Sequence, residues 1–368
     1  MPRKLTPDRW LFGVAVVLLS AGVVMVYSAS AIVAADRFHD PYFFLKKQLF
    51  WALLGSLAML AAIRVDYRKL EGLVLPGLIL AGVLLLLVLI PPFGQAINGT
   101  RRWIRLGPVS FQPAELAKFA LVIYLAAFVA RRSDETSDVR RTLLPPLLVA
   151  GAFAALVLVQ PDLGNCLTLV ALTFGVLYMA GTPVKHLAWI VAPALPLLAL
   201  AIWVAPYRLR RITAFWDPWS DPRGSGFQII QSWLAFGNGG LTGQGIGGSR
   251  QKLFYLPESH TDFIFAIVGE ELGFIGALGV VLCFGVVAWR GLRAARRAPD
   301  SFGGFLAAGA TAMIVVQAAI NLSVVLALLP TKGIPLPFVS YGGSSIVACW
   351  IAGGLILNVS QHEVADTA

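Results

Sequence analysis

The feature that most constrains this chain is the recurrence of long, uninterrupted apolar runs. A helix needs about 20 mainly apolar residues to cross the hydrocarbon core of a bilayer. Such runs recur along all 368 residues, and charged residues make up only 13% of the sequence. The runs are continuous, whereas the strands of a membrane β-barrel alternate apolar and polar residues. We therefore predict an all-α polytopic membrane protein.

The apolar runs predict about ten transmembrane helices in a single membrane domain over residues 1–368. One connection, residues 206–261, is much longer than the others and rich in Gly and Trp, and we expect it to form an extracytoplasmic loop. The predicted spans are residues 10–34, 48–65, 71–91, 113–131, 143–160, 163–181, 186–205, 262–290, 303–328 and 341–359.

Basic residues in short loops indicate the orientation, because they are enriched on the cytoplasmic side. With both termini cytoplasmic, Lys and Arg divide nearly evenly between the two sides. Most of the outer ones, however, fall in two loops, which contain Arg101, Arg102, Arg105, Arg208, Arg210, Arg211, Arg223, Arg250 and Lys252. These residues either contact lipid headgroups or form an anion-binding surface on the outer face, since clustered Arg and Lys attract phosphates.

Ionisable residues within or beside spans are expensive and mark candidate functional positions. Glu115 and Lys118 are three residues apart and share one helical face, either as a self-neutralising pair or as a charged wall of a substrate groove. Asp162 separates two spans, where it either caps the following helix or belongs to a site at the outer membrane face.

Acidic residues crowd the segment 256–265, where a polar loop runs directly into a span. Thr261 or Asp262 could cap that helix, but capping alone does not explain Glu258 and His260 beside them. Glu270 and Glu271 lie about two turns deeper.

The segment 330–345 is rich in proline, which prevents a regular helix, and ends in Gly342 and Gly343 at the start of the last span. A helix start of this kind, including Ser344, either packs tightly through small residues or binds an anion through its amides.

These segments resemble the signatures of the SEDS family (shape, elongation, division and sporulation) over nearly the whole chain. The matching motifs are residues 98–104, 112–118, 217–228, 251–265 and 332–345. The phrases at 98–103 and 330–333 favour the division branch over the elongation branch. Ala114 departs from the pattern, since the family usually has Ser there.

The resemblance implies a peptidoglycan glycosyltransferase that polymerises lipid II, a disaccharide-peptide on undecaprenyl pyrophosphate, in the bacterial cytoplasmic membrane. It implies a class B penicillin-binding protein, a transpeptidase, as partner within the division or elongation machinery. It places the essential aspartate on Asp262 and the groove residues on Glu115, Lys118 and Asp162.

The reaction needs a base for the attacking 4-hydroxyl and charge stabilisation for the leaving pyrophosphate. We expect Asp262 to be the base or to hold a divalent cation, Mg²⁺ or Mn²⁺. Candidates for contacting the substrate are Arg101, Arg102, Arg211, Lys252, Lys118 and Ser344. We expect no organic cofactor and no nucleic-acid partner.

Two alternatives use the same features differently. A lipid II flippase would need polar groups along the whole membrane path, and Glu270 and Glu271 keep that hypothesis open. A non-catalytic scaffold for a transpeptidase would not require Asp262.

Overall fold

The computed structural model describes residues 6–91, 93–97, 100–107, 109–132 and 139–362. In these ranges, the 3-10 helices Tyr67–Leu73 and Pro218–Ser220 accompany the α-helices. The α-helices are α1 Arg9–Phe38, α2 Phe43–Arg64, α3 Val74–Leu87, α4 Pro113–Ala130, α5 Val139–Thr142, α6 Leu144–Val159, α7 Leu163–Met179, α8 Val184–Trp203, α9 Pro206–Trp216, α10 Phe227–Gly239, α11 Ile264–Arg296, α12 Ser301–Val325 and α13 Gly343–Ser360.

Each predicted span coincides with one helix, namely α1 to α4, α6 to α8 or α11 to α13. Within the described ranges, seven helices are long and apolar enough to cross a membrane. In addition, α6 and α7 are shorter apolar helices, and α8 has 20 residues. The predicted polytopic helical membrane fold is confirmed.

The centre of the bundle is formed by α4, α12 and α13, whose most apolar stretches are 72%, 61% and 83% buried. By contrast, the Tyr67–Leu87 stretch that contains α3 is only 11% buried, so it forms an outer wall. Helix α12 packs against α4, α7, α11 and α13, and α2 runs along α13. Small residues permit this approach: a Cβ added to Gly354 of α13 would lie 2.9 Å from the Ala62 Cβ of α2.

A small antiparallel sheet, which was not predicted from the sequence, lies between α3 and α4. Its strands are β1 Gly94–Ile97, β2 Thr100–Leu106 and β3 Val109–Phe111, in the order β1-β2-β3. The pairing of β1 with β2 shifts register at Arg102: Gln95 lies opposite Trp103 and Ala96 lies opposite Arg101, which indicates a β-bulge. Asn98 and Gly99 of the family motif lie outside the described residues.

Helix α11 is broken at Gly273, whose φ of +67° is a left-handed conformation that favours glycine. The break exposes backbone amides, and the segment after α10 supplies their acceptors. Phe274 N–H donates to the Gly240 carbonyl over 2.9 Å, and Ile275 N–H donates to the Leu241 carbonyl over 3.1 Å. A break within a membrane helix is tolerated where protein satisfies the freed groups. The long loop is therefore fixed to α11.

Candidate functional site

A cavity of about 930 Å³ lies where the N-terminal ends of α4, α7 and α13 approach β2, α9 and two irregular loops. The loops are residues 256–263, before α11, and residues 330–342, before α13; we name them the Asp262 loop and the Lys332 loop. Chain segments far apart in sequence thus contribute to one wall. The charged residues that line the cavity are Arg102, Glu115, Asp162, Arg208, Arg211, Glu258, Asp262 and Lys332.

Asp262 is half-buried in the cavity wall, two residues before α11 begins. Burial, with a contribution from Glu258, raises the pKa of the Asp262 carboxyl to about 7, although Arg211 and Arg102 act in the opposite direction. The capping hypothesis for this segment is wrong: the N-cap residue of α11 is Phe263, with no side-chain cap bond. Thr261 instead donates to the Glu258 carboxylate over 2.7 Å. Capping therefore does not account for Asp262.

Asp162 both caps a helix and lines the cavity, so the two hypotheses for this residue are compatible. Its Oδ1 accepts from the Asn165 backbone N–H over 3.0 Å, which caps α7. Its Oδ2 accepts from the side-chain amides of Asn165 over 2.9 Å and Gln112 over 3.2 Å. The guanidinium of Arg102 lies 3.9 Å from the same oxygen. The carboxylate is thus held in place from several sides.

Glu115 and Lys118 form the predicted pair, with Lys118 Nζ 2.9 Å from Glu115 Oε1. The Lys118 side chain is 1% exposed and also donates to Gln317 Oε1 over 2.8 Å. Glu115 Oε2 is buried and has no hydrogen-bond partner among the described residues. Glu115 lines the cavity, whereas Lys118 does not. The two charges of the pair neutralise each other at the edge of the cavity.

The predicted basic contacts separate into two groups. Arg102 and Arg211 line the cavity, where Arg102 donates to the Pro161 carbonyl over 2.6 Å and Arg211 to the Thr331 carbonyl over 3.2 Å. Arg101 is exposed, outside the cavity lining, and reaches the Leu89 carbonyl at 3.4 Å. Ser344 is buried in the first turn of α13, and its hydroxyl has no hydrogen-bond partner within the part of the chain that the structure describes. Its neighbour Ser345 lines the cavity instead.

Lys252 lies in a different place, among buried acidic residues near the break in α11. Its Nζ is 2.9 Å from Glu271 Oε1 and 3.1 Å from Ser28 Oγ of α1. Glu270 accepts from the Ser249 hydroxyl and from the backbone N–H of Arg250 over 3.2 Å. Glu270 and Glu271 are fully buried and absent from the cavity lining. These carboxylates bind the long loop to α11.

Lys332 was not among the predicted substrate contacts, although its segment, residues 330–345, ends in a candidate anion-binding helix start. It lies in the cavity wall beside Gly333, and a Cβ added to Gly333 would come 3.0 Å from Asp262 Oδ2. Burial, with Arg211 and Arg208 nearby, lowers the pKa of the Lys332 amine to about 8. The sequence feature that could have identified Lys332 is its position between prolines, in a loop that cannot form a regular helix.

The side chains near the cavity determine whether the predicted divalent cation could bind there. Within the described ranges, no group of three or more His, Cys, Asp or Glu side chains is close enough to form a protein cage for a metal. Mg²⁺ typically keeps several waters and binds one or two carboxylates together with substrate phosphates. The cavity offers Asp262 and Glu258. These residues fit a cation that is shared with a phosphate ligand.

The family model described as "cell cycle protein", covering FtsW, RodA and SpoVE, matches residues 8–365. A protein of Geobacter sp. (strain M18), named "probable peptidoglycan glycosyltransferase FtsW", is 48% identical over 355 residues, which cover 96% of this chain and 97% of the relative. Stage V sporulation protein E of Bacillus subtilis (strain 168) is 44% identical over 361 residues, covering 98% and 99%.

Two solved structures share the fold. A chain of a peptidoglycan synthase complex that coordinates polymerization and crosslinking aligns with a TM-score of 0.81 and 33% identity, covering 98% of this chain and 100% of that one. The rod shape determining protein RodA of Thermus thermophilus aligns with a TM-score of 0.71 and 30% identity, covering 98% and 99%.

Proposed function

The chain belongs to the cell cycle protein family of FtsW, RodA and SpoVE, and from this membership and the cavity we propose that it is a peptidoglycan glycosyltransferase that polymerises lipid II. The observation that carries the proposal is the convergence of Asp262 with Arg102, Arg211 and Lys332 in one cavity. A carboxylate that titrates near neutrality can accept a proton, and the cations can bind pyrophosphate.

In the proposed reaction, the 4-hydroxyl of the incoming GlcNAc attacks the anomeric carbon of the lipid-linked glycan. Asp262 takes the hydroxyl proton, the new glycosidic bond forms, and the bond to pyrophosphate breaks with its electron pair on the leaving phosphate. General-base catalysis of this kind contributes about 10²–10⁴-fold. A carboxyl with a pKa of about 7 is well matched to a base that works near neutral pH.

Charge stabilisation of the leaving pyrophosphate falls to the basic residues of the cavity. Arg102 and Arg211 present guanidinium groups, which suit phosphate oxygens, and Lys332 adds a point charge. Alternatively, if Asp262 is not the base, Asp262 and Glu258 would hold a divalent cation, Mg²⁺ or Mn²⁺, which would supply Lewis-acid stabilisation to the phosphates. Arg101, Lys252 and Ser344 do not line the cavity, and we give them no direct role in this step.

We place the cavity on the outer face of the bacterial cytoplasmic membrane, with both termini in the cytoplasm. Residues 1–5 and 363–368 at the two ends lie outside the described residues. Support comes from the basic residues at the opposite end of the bundle, such as Arg64 of α2 and Arg290 and Arg293 of α11. A prenyl tail can then remain in the bilayer while its pyrophosphate and sugars reach the cavity.

The proposed partner is a class B penicillin-binding protein, which crosslinks the glycan strands, and the proposed setting is cell division rather than elongation. The solved peptidoglycan synthase complex supports a partner, because its matching chain covers nearly the whole of this one. The Geobacter relative, named for FtsW, supports the division setting.

The flippase alternative receives less support from the geometry. It rested on Glu270 and Glu271 as polar groups deep in the membrane. Both carboxylates are fully buried and bonded to the loop that contains Ser249 and Lys252, so neither is available to a moving headgroup.

The experiment uses purified protein, its transpeptidase partner, lipid II and Mg²⁺ or Mn²⁺, and follows glycan-chain formation. The native chain is expected to form polymer, and Asp262→Asn to lose it while retaining membrane assembly and partner binding. Equal polymer from both would remove Asp262 from the chemistry. No polymer from the native chain, where a known polymerase works, would favour transport or scaffolding.

A further inference from the structure

The two loops that carry Asp262 and Lys332 are irregular, so something other than secondary structure must fix their separation. Both loops pass over the same end of α12. Gln317 and Asn321 of α12 are four residues apart and therefore lie on one helical face. Both side chains are 1% exposed and polar in a predominantly apolar bundle.

Asn321 bridges the two loops through a single amide nitrogen. Its Nδ2 donates to the Asp262 carbonyl over 2.8 Å and to the Ile334 carbonyl over 2.7 Å. The amide orientation is fixed, because a flipped side chain would bring Oδ1 against two carbonyl oxygens. Oδ1 is buried and has no hydrogen-bond partner among the described residues. The side chain thus leaves its acceptor unpaired while both donors connect the loops.

Gln317 makes a second connection one turn away. Its Oε1 accepts from Lys118 Nζ over 2.8 Å, which directs Nε2 towards the Lys332 loop. Nε2 donates to the Pro335 carbonyl over 3.0 Å and to the Ser345 hydroxyl over 3.1 Å. The Lys332 loop is therefore held by α12 at two carbonyls, those of Ile334 and Pro335. Of these two side chains, Asn321 is the one that also holds the backbone of Asp262.

We propose that Asn321 is a positioning residue for glycan transfer, because it fixes the separation of the Asp262 loop from the Lys332 loop. The expected effect of Asn321 on turnover rests on the proposed function, whereas its expected effect on loop geometry does not. A displacement of about 1 Å between reacting groups can lower a rate about 100-fold. Asn321 is not among the residues that line the cavity, so its proposed role is exerted through the backbone of Asp262 and Ile334.

The chain contains a closely matched control. Asn358 of α13 is fully buried, and its Nδ2 donates to the Ala62 carbonyl over 2.6 Å and the Ile63 carbonyl over 3.1 Å. Its Oδ1 also has no partner among the described residues. Asn358 lies near the C-terminal end of α13, whereas the cavity is at the N-terminal end. Asn358→Leu therefore removes the same kind of bonds far from the cavity.

The test compares Asn321→Leu and Asn358→Leu in the full chain with its partner. Both variants are expected to unfold at similarly reduced temperatures. Asn321→Leu is expected to lower kcat for lipid II polymerisation about 100-fold per folded molecule, with KM changed by no more than about threefold. Asn358→Leu is expected to keep the native kcat. Equal losses of kcat in the two variants would reduce Asn321 to a purely structural role.

A distance measurement tests the loop geometry without any activity. Spin labels are placed at Tyr255 and Leu329, which are 56% and 42% exposed and flank the two loops, after replacement of the three native cysteines by Ala. Asn321→Leu is expected to shift or broaden the distance distribution, and Asn358→Leu to leave it unchanged. A native distribution in Asn321→Leu would overturn the inference. If the unsubstituted chain makes no polymer, the glycosyltransferase proposal fails, and the distances still decide whether Asn321 holds the loops.

Discussion

The Nζ atom of Lys252 lies 2.9 Å from Oε1 of Glu271, and both side chains are almost entirely closed off from solvent. Removing one partner of a buried ion pair leaves an uncompensated charge, which typically costs about 3–5 kcal/mol. We expect Lys252→Met to lower the free energy of unfolding by that amount, as measured by thermal or denaturant unfolding in detergent. Lys252→Met combined with Glu271→Gln is expected to recover part of the loss.

Lys252→Met also distinguishes the structural role of Lys252 from the substrate-phosphate contact that the sequence suggested. Folded Lys252→Met protein is expected to show the native KM for lipid II. An unchanged unfolding temperature together with a raised KM would instead support a contact with the substrate.

The pKa of about 7 at Asp262 predicts the acid side of the pH profile. A general base acts when deprotonated, so kcat/KM is expected to fall about tenfold per pH unit below 7. The measurement is the initial rate of polymerisation between pH 5 and 8. A rate that stays constant down to pH 5 would contradict the assignment of Asp262 as a base with this pKa.

The contribution of Asp262 to stability is expected to have the opposite pH dependence from activity, because it decreases as the pH rises. The folded state raises the pKa of Asp262 above its ordinary value of 3.8, so it binds more protons than the unfolded state between those two values. The contribution of this group to stability is therefore full below pH 4 and is lost as the pH rises through about 7. Asp262→Asn, which cannot ionise, is expected to unfold at a higher temperature than the native chain at pH 8, with a smaller difference at pH 5.

The lowered pKa of Lys332 predicts how activity changes with pH on the alkaline side. Its pKa of about 8 means that the amine loses its charge, and with it the attraction for pyrophosphate, above that pH. We expect activity to decline above pH 8 and Lys332→Arg to move that decline to higher pH, because arginine stays charged. Lys332→Met is expected to be impaired at every pH. An alkaline decline at the same pH in Lys332→Arg would assign it to another group.

Two substitutions of Asp162 separate its role as a helix cap from the role of its charge. Asn is as good an N-cap as Asp, whereas Ala costs about 0.5–2 kcal/mol. We expect Asp162→Asn to unfold close to the native temperature and Asp162→Ala to be less stable. If the charge also serves the cavity, Asp162→Asn will raise KM or lower kcat despite its native stability. Full activity in Asp162→Asn would restrict Asp162 to capping α7.

Arg101 and Arg102 are neighbours on β2 with the same charge, and of the two Arg102 lines the cavity. A hydrogen bond to a charged group contributes about 1.5–3 kcal/mol, so Arg102→Gln is expected to raise the KM for lipid II about 10- to 100-fold. Arg101→Gln is expected to leave KM unchanged. Similar increases in the two variants would indicate general attraction by surface charge instead of a specific contact.

The membrane helices could be predicted from local sequence because the hydrocarbon core of the bilayer offers no hydrogen-bond partners to the backbone. Each backbone group within a span must find its partner in the same helix, so an apolar run of sufficient length identifies the span. The sheet at residues 94–111 was missed because its strands are short and lie between two spans. The motifs likewise located the segments of Asp262 and Glu115, and the position of an ionisable residue between two spans located Asp162; all three residues line the cavity.

What the sequence determined by itself was the succession of membrane helices and the polar segments that carry the chemistry. Only the tertiary structure decided which charges meet. Lys252 and Lys332 are both lysines in polar loops, yet Lys252 pairs with Ser28, 224 positions away, while Lys332 reaches the cavity. Lys118 likewise meets Gln317 across 199 positions. Such contacts depend on how whole helices pack, and short-range hydropathy contains no information about that packing.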